Sequence, residues 1–285
     1  FKLKNALSNI ADVMERGTEG ARVLGSYLEG PYISVEKKGA HPEDSLRKFN
    51  LKEIKDLIAS SRDTIRVVAL APEKKGSQKL ISYLKEKGIK IALGHTSADY
   101  QTAVKAIDQG AEIAVHIYNG MSGLHHREPG MVGAVLNNDQ IQAELIADEI
   151  HVSIPAIQIL LRSRDNDSIC LITDSMMAAG LEDGDYVLGE LEVAVENGAA
   201  RISNGSLAGS TLKLNDALRN MVIDVGLDLE SAVKMATSNP AYTLGLENEI
   251  GSIQPGKKAD FTVIDDDFNV VLTMVDGEIK YNQIS

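Results

Sequence analysis

The sequence contains a single cysteine, Cys170, within the apolar run 169–172. One cysteine excludes an internal disulfide and a zinc site built from several cysteines. This usage is typical of the reducing cytosol, so we expect a cytoplasmic protein. Because free cysteines are commonly buried, we interpret Cys170 as a small core residue.

Basic residues are also scarce relative to acidic ones, with 29 Lys and Arg against 41 Asp and Glu and a formal net charge of -12. A chain of this charge repels polyanions, so we expect neither nucleic acid nor an anionic membrane as a partner. No apolar stretch is long enough to span a bilayer. An anionic substrate would therefore need a local basic site.

Short apolar runs alternate with amphipathic segments along most of the chain. Residues 77–87 place Leu80, Ile81 and Leu84 on one helical face, and Gly88 follows as a stop signal. Strand-like runs that are apolar on both faces occur at 22–28, 65–70, 89–93, 113–117, 143–147 and 168–173. Such runs are typical of parallel strands covered by helices, and their alternation with helices predicts a doubly wound sheet or a β/α barrel.

The polar residues near the strand ends favour the barrel. Carboxylate and imidazole side chains, which can bind metals or transfer protons, lie just after these apolar runs: Glu29, Glu73, His95, His116, Asp148 and Asp174. A barrel gathers its strand ends around one mouth, whereas an open sheet spreads them along an edge. Because a standard barrel has eight strands, we expect two more before Phe1. The predicted fold class is α/β: a (β/α)8 TIM-type barrel with its N-terminal strands missing from this chain, plus a small β domain.

The second half of the sequence no longer shows the regular alternation of strand-like and helical segments. Residues 188–202 are β-like, and residues 212–225 and 228–244 are predicted to be helical. Residues 250–285 form a β segment whose 275–278 stretch is suited to a type I′ hairpin turn. We assign 1–245 to the barrel and 246–285 to the C-terminal part of a small β-sandwich domain.

Three residues at predicted strand ends are candidate metal ligands: Glu29, His95 and His116. Two imidazoles and one carboxylate hold a divalent ion and leave a coordination position open for water. Either histidine alone would be better explained as a polar cap on the barrel. Three ligand types at one mouth favour a metal site, with zinc as the first choice and iron, manganese or cobalt as alternatives.

Asp174 follows the last predicted strand and is the candidate acid/base. A carboxylate there can take a proton from water and return it to a leaving nitrogen. The alternative role is that of a helix N-cap, a position that Asp favours.

Candidate substrate contacts are less specific. The loop 125–130 is basic, and Arg127 carries a planar donor fork suited to a sugar phosphate, although the loop also fits an ordinary surface turn. His151 precedes a predicted helix start and faces either the mouth or the helix end; His41 is a weaker candidate. The loop 204–210 offers backbone donors, or is a plain turn.

Taken in order, these residues belong to recognisable motifs: Leu28-Glu29-Gly30-Pro31, Lys38-Gly39-Ala40-His41, Leu70-Ala71-Pro72-Glu73, Gly94-His95-Thr96, His116-Ile117-Tyr118-Asn119-Gly120-Met121, His126-Arg127-Glu128-Pro129-Gly130, Leu171-Ile172-Thr173-Asp174 and Leu207-Ala208-Gly209-Ser210. The set resembles the N-acetylglucosamine-6-phosphate deacetylases of the amidohydrolase superfamily, nearly from end to end. The tail 251–260 is similar to the superfamily only.

The resemblance implies a role for each matching residue. Glu29, His95 and His116 would hold the metal, with Asp174 as the acid/base. Contacts to the substrate would come from Ala40, His41, Asn119, Gly120, His151, Leu207, Ala208 and Gly209. Arg127 would reach the phosphate bound by a neighbouring subunit, which implies a homodimer.

The expected reaction is metal-dependent hydrolysis of the acetamido group of N-acetylglucosamine-6-phosphate to glucosamine-6-phosphate and acetate, with His41 as a candidate oxyanion donor. Two alternatives stay open: another amidohydrolase acting on a cyclic amide or nucleobase, and a non-catalytic sugar-phosphate binder. The sequence departs from the family at Gly120, where the family usually has alanine. It also lacks the His-x-His strand that holds a second metal in some members.

Overall fold

Six parallel strands form the centre of the computed structural model, which describes residues 2–284. They are β1 Ser26–Glu29, β2 Ile65–Leu70, β3 Lys90–Leu93, β4 Ile113–Ala114, β5 Gln142–Leu145 and β6 Ile169–Leu171. The strands pair in sequence order, so Val68 aligns with Leu28 on one side and with Ile91 on the other. This order confirms the six predicted strands and brings all their carboxyl ends to one edge.

Helices alternate with these strands: α1 Lys2–Arg16, α2 Leu51–Ser60, α3 Ser77–Glu86, α4 Tyr100–Asp108, α5 Gly130–Leu136 and α6 Ile154–Ser163. Local sequence signals explain their bounds. The side chain of Asp99 caps α4 by accepting the Thr102 N–H, and Pro155 lies in the first turn of α6. Leu80, Ile81 and Leu84 of α3 are buried, as the predicted helical face requires.

The helices after β6 are more broken than expected: α7 Leu214–Arg219, a π-helical segment Asn220–Asp224, α8 Leu229–Ala236 and α9 Ser238–Thr243. The prediction of one unbroken helix over 228–244 was wrong. Thr237 leaves the helical conformation with φ -133° and ψ -81°. Pro240 explains the break, because it has no N–H to donate to the carbonyl of Ala236.

Two antiparallel sheets of three strands complete the described structure. One contains β7 Gly184–Leu188, β8 Leu191–Glu196 and β9 Ala199–Ile202, and the other β10 Phe261–Ile264, β11 Val270–Val275 and β12 Glu278–Asn282. Asp276 and Gly277 both have positive φ, and Val275 pairs with Glu278. These values confirm the predicted type I′ turn.

The main apolar core lies between the parallel sheet and its helices, with Leu70, Leu80 and Leu93 fully buried. A smaller cluster lies beneath the β7–β9 sheet and includes Met176, Val193 and Val195. Cys170 is 3% exposed, in agreement with its predicted place in the core, and burial raises the pKa of its thiol to about 12. Across residues 2–284, every helix is too short or too polar to cross a membrane.

Candidate active site

The carboxyl ends of the parallel strands surround a cavity of about 580 Å³. Glu29 is the last residue of β1, His95 and His116 lie two residues beyond β3 and β4, and Asp174 lies three residues beyond β6. All four line this cavity. The parallel topology therefore brings together residues that are up to 145 positions apart in the sequence.

The three predicted metal ligands converge on one point. Glu29 Oε1 lies 3.0 Å from both His95 Nε2 and His116 Nε2, and the two nitrogens are 3.1 Å apart. A tetrahedral ion with bonds of about 2.0–2.1 Å holds its ligand atoms roughly 3.3 Å apart. The observed triangle is close to that size, and these residues form the one such group found within residues 2–284.

The other ring nitrogen of each histidine is already occupied. His95 Nδ1 donates to the carbonyl of Lys37 at 2.7 Å, and His116 Nδ1 donates to the carbonyl of Asn119 at 3.2 Å. When both rings are neutral, each imidazole directs an Nε2 lone pair at the Glu29 carboxylate, an arrangement of mutually repelling acceptors that favours binding of a proton or a metal cation. A cation between them removes the repulsion, and such bonds to Nδ1 are the usual means of orienting metal-binding histidines.

Proton affinities lead to the same conclusion. Burial lowers the pKa of His116, but the hydrogen bond and the charge of Glu29 outweigh burial and raise it to about 9. Burial raises the pKa of Glu29, but hydrogen bonds from His116 and His95 outweigh it and hold that pKa well below its usual range. Without an ion, a proton on His116 therefore supplies the positive charge that the Glu29 carboxylate attracts.

The backbone at these positions is strained. His95, His116 and Asp174 have φ values of 47°, 31° and 50°, a region that residues with a Cβ rarely adopt. Hydrogen bonds hold the turns in place: Thr96 N–H donates to the Gly120 carbonyl at 2.9 Å, and Ser210 N–H donates to the Asp174 carbonyl at 2.7 Å. Strain that neighbouring contacts enforce in this way is typical of functional sites.

Asp174 is exposed to the cavity, and its partial desolvation there, together with the charge of Glu29, raises its pKa. The alternative interpretation as a helix N-cap was wrong, because the next α-helix, α7, begins only at Leu214. Glu73, another residue near a strand end, supports the His95 turn instead of lining the cavity. Its carboxylate accepts from Thr96 Oγ1 at 2.6 Å and from Ser97 N–H at 2.8 Å.

Most residues expected to contact substrate also line the cavity: Ala40, His41, Asn119, Gly120, His151, Leu207 and Gly209. Ala208 instead packs in the cluster beneath β7–β9, and its N–H donates to the Ala200 carbonyl. Arg127 is exposed on its loop, outside the cavity lining, with a guanidinium nitrogen 2.7 Å from His126 Nε2.

Sequence reasoning missed several parts of the site. Ile146, Met176 and Leu188 supply apolar wall, and Asp148 pairs with His151. The Asp-x-x-His spacing of that pair was visible in the sequence. Within residues 2–284, no Lys or Arg lines the cavity. The basic site that we expected for an anionic substrate is therefore not formed by Lys or Arg of the cavity wall.

Comparison with known proteins places this site in a family. Residues 4–280 match the amidohydrolase family. The N-acetylgalactosamine-6-phosphate deacetylase of Escherichia coli O157:H7 is 46% identical over 96% of this chain and 72% of its own length. The N-acetylglucosamine-6-phosphate deacetylase of Vibrio furnissii is 41% identical over 99% of this chain and 70% of its own.

Solved structures agree with this family. The N-acetylglucosamine-6-phosphate deacetylase of Pasteurella multocida is 36% identical with a TM-score of 0.92, over 98% of this chain and 72% of that one. A variant of the Mycobacterium smegmatis enzyme, solved with N-acetyl-D-glucosamine-6-phosphate, is 33% identical with a TM-score of 0.93, over 98% and 73%. The chain belongs to the amidohydrolase family and, within it, to the deacetylases of N-acetylated amino-sugar phosphates.

Proposed function

We propose that this chain hydrolyses the acetamido group of N-acetylglucosamine-6-phosphate to glucosamine-6-phosphate and acetate. The observation that carries the proposal is the cluster of Glu29, His95 and His116, whose ligand atoms lie 3.0–3.1 Å apart, with Asp174 in the same cavity. Similarity to deacetylases of this substrate class supports it.

The two imidazole nitrogens and one carboxylate oxygen fit a divalent cation. Zinc is our first assignment, and iron, manganese or cobalt suits the same ligand types. A bound ion would supply Lewis-acid polarisation of the acetyl carbonyl and would activate water as the nucleophile.

Asp174 would move the proton. As a carboxylate it accepts a proton from the attacking water, and as a carboxylic acid it returns that proton to the departing amine nitrogen. The raised pKa of Asp174 suits the first part of this role, because a more basic carboxylate takes up a proton from water more readily.

His41 is less well supported as the oxyanion donor. Its Nδ1 donates to the Lys38 carbonyl at 3.0 Å, which leaves a neutral imidazole without a proton on Nε2. Burial, together with the charge of His95, lowers the pKa of His41 and so favours the neutral ring. Its ring centroid lies 4.7 Å from that of His95, so we assign His41 a place in the cavity wall.

A second candidate substrate is N-acetylgalactosamine-6-phosphate, which differs only in the configuration at C4. The 46% identity to a deacetylase of that sugar favours including it.

The decisive experiment measures acetate release from both phosphorylated sugars and from unphosphorylated N-acetylglucosamine, with bound metal quantified. We expect the glucosamine derivative to be the best substrate. Faster turnover of the galactosamine derivative, or equal turnover without phosphate, would contradict the proposal.

The metal assignment has its own test. His95→Ala and His116→Ala should each lose most of the bound ion, because each removes one of three protein ligands. His125→Ala, on an exposed loop outside the cavity, is the matched control. Unchanged metal content in both cavity variants would show that the ligands are elsewhere.

We further propose a homodimer in which Arg127 contacts the phosphate bound by the neighbouring subunit. The absence of Lys and Arg from the described cavity lining, and the exposed position of Arg127 outside it, support this arrangement. Arg127→Ala should raise KM and reduce the preference for phosphorylated sugar, since phosphate is remote from the scissile amide. Mixing Arg127→Ala with Asp174→Asn protein should restore activity, because one site in the mixed dimer has both residues.

The single cysteine supports a cytoplasmic location. The separate β10–β12 sheet supports our division into a barrel over 1–245 and part of a β-sandwich domain over 246–285.

A further inference from the structure

Asp148 and His151 form a close pair at the wall of the cavity. Asp148 Oδ2 lies 2.6 Å from His151 Nδ1, and the two side chains are only 8% and 7% exposed. His151 lines the cavity, whereas Asp148 lies behind it. Because the carboxylate engages Nδ1, Nε2 is the ring nitrogen left for a ligand.

The loop that carries this pair is fixed at several points. Asp148 Oδ1 accepts the N–H groups of Ile150 at 2.9 Å and of His151 at 2.7 Å. The Asn220 side-chain amide donates to the Ala147 carbonyl at 2.9 Å, from the π-helical segment after α7. Glu149 turns the chain between them with φ 62°. The carboxylate is therefore held in place before any ligand arrives.

The charge of the cavity makes this pairing significant. Glu29 and Asp174 line the cavity with acid, and within residues 2–284 its only basic side chains are His41, His95, His116 and His151. His95 and His116 point Nε2 at Glu29, and His41 favours the neutral form. His151 alone among them has a dedicated carboxylate on its far nitrogen. Burial raises the pKa of Asp148, but hydrogen bonds from His151 outweigh it and lower that pKa, which keeps Asp148 ionised.

We infer that Asp148 is a positioning residue that holds His151 as a cationic Nε2–H donor to the phosphate of the substrate. This inference rests on the proposed function for its ligand. An ionised donor makes a hydrogen bond to an anionic oxygen roughly twice as strong as a neutral one. Asp148 thus supplies through His151 part of the positive charge that the cavity wall otherwise lacks.

Asp148→Asn separates this role from support of the loop. The Asn side-chain oxygen still accepts the two backbone N–H groups, so the turn survives. The new amide NH₂ donates to His151 Nδ1, which leaves a neutral ring protonated on Nε2. His151 Nε2–H can then still donate a hydrogen bond, but the positive charge of the ring is lost. Asp99→Asn is the matched control, because it also removes a charge from a capping carboxylate, at the exposed start of α4.

We expect Asp148→Asn to raise KM for N-acetylglucosamine-6-phosphate about tenfold, equivalent to about 1.4 kcal/mol, with kcat within about threefold. The preference for phosphorylated over plain sugar should fall by the same factor, and Asp99→Asn should change neither. In the His151→Ala background, Asp148→Asn should have no further effect, as expected when two residues act as one unit. A fall in kcat alone, equal losses on both sugars, or additive effects would overturn the inference.

A binding measurement distinguishes failure of this inference from failure of the proposed function. Calorimetric titration of the metal-loaded protein with glucosamine-6-phosphate and with glucosamine requires no turnover. If acetate is not released but Asp148→Asn weakens glucosamine-6-phosphate binding about tenfold, equivalent to about 1.4 kcal/mol, the pair has its assigned role and the proposed reaction is wrong. If acetate is released and Asp148→Asn leaves the affinity unchanged, the reaction stands and the role of Asp148 does not.

Discussion

The two ends of the parallel sheet, the mouth at the carboxyl ends of the strands and the base at their amino ends, differ in backbone strain and in the contacts of their polar groups. At the mouth, His95, His116 and Asp174 occupy positive-φ conformations, and the three candidate ligand atoms lie only 3.0–3.1 Å apart. At the base, where the strands begin, Arg164 is 5% exposed, and its guanidinium donates to the carbonyls of Val135, Asn138 and Ile141 and to Ser168 Oγ. At the mouth, polar groups are arranged for a ligand, whereas at the base the buried Arg164 cation is satisfied by groups of the protein itself.

This contrast shows where the molecule tolerates unfavourable local structure. Strained φ values and closely spaced ligand atoms each cost free energy, and they persist at the mouth because the chemistry needs those atoms in those places. At the base, a buried cation is acceptable because its hydrogen bonds join the end of α5 to the starts of β5 and β6. Substitutions at the mouth should therefore change the rate, and substitutions at the base should change stability.

The largest expected effect is on turnover. Asp174→Asn removes the only proton acceptor that we assign, so kcat should fall by about 10²–10⁴, the usual scale for a general acid/base. Bound metal and thermal stability should be retained, because Glu29, His95 and His116 are untouched. Asp108→Asn, at the exposed end of α4, is the control. Near-normal turnover by the Asp174 variant would remove this residue from the mechanism.

The next effect tests the base. Arg164→Met keeps an apolar stem but leaves three carbonyls without their donor, so unfolding should become easier by about 3–5 kcal/mol, as when one partner of a buried charged contact is removed. Arg164→Lys should recover little of this, because an ammonium lacks the planar fork that spreads donors over several acceptors. Urea unfolding monitored by circular dichroism measures the change, with exposed Arg162→Met as the control. A loss below about 1 kcal/mol would show that the contacts at the base are dispensable.

Glu144 lies between the two ends, and its carboxyl should make stability depend on pH. Burial raises its pKa from 4.5 to about 8, against the opposing charge of His116 and a hydrogen bond from Tyr27. Between these values the unfolded chain loses this proton and the folded protein keeps it. The contribution of Glu144 to stability should therefore be full below pH 4.5 and should fall by up to about 1.4 kcal/mol per pH unit until about pH 8.

Glu144→Gln should flatten this dependence in the metal-free protein, because the amide stays neutral at every pH. The exposed Glu86→Gln variant should leave the slope as it is. Unfolding free energies between pH 5 and 8 give the comparison directly. An identical slope in the wild-type protein and in Glu144→Gln would mean that Glu144 ionises normally in the folded state.

The mouth was far easier to predict from the sequence than the base. Metal ligands are a few residue types, and parallel topology carries them to one edge, so Glu29, His95, His116 and Asp174 could be assigned together. The Lys37 and Asn119 carbonyls that orient the histidines carry no residue-type signal, because every residue has a carbonyl. Arg164 follows an amphipathic helix, a position where a charged side chain is usually exposed. Its burial depends on loops that only the folded chain assembles.

The smallest expected effect is that of the strain itself, measured at Asp174. With φ at 50°, any residue with a Cβ is disfavoured there, and glycine is not. Asp174→Gly should therefore be more stable than Asp174→Ala by about 1 kcal/mol, although both are inactive. The order should reverse at Ser82, in the middle of α3, where glycine is less stable than alanine by about 1 kcal/mol. Urea unfolding of the four metal-free variants provides the measurement. If alanine is the more stable residue at both positions, the mouth stores no backbone strain at Asp174, and its difference from the base is one of hydrogen bonding and charge alone.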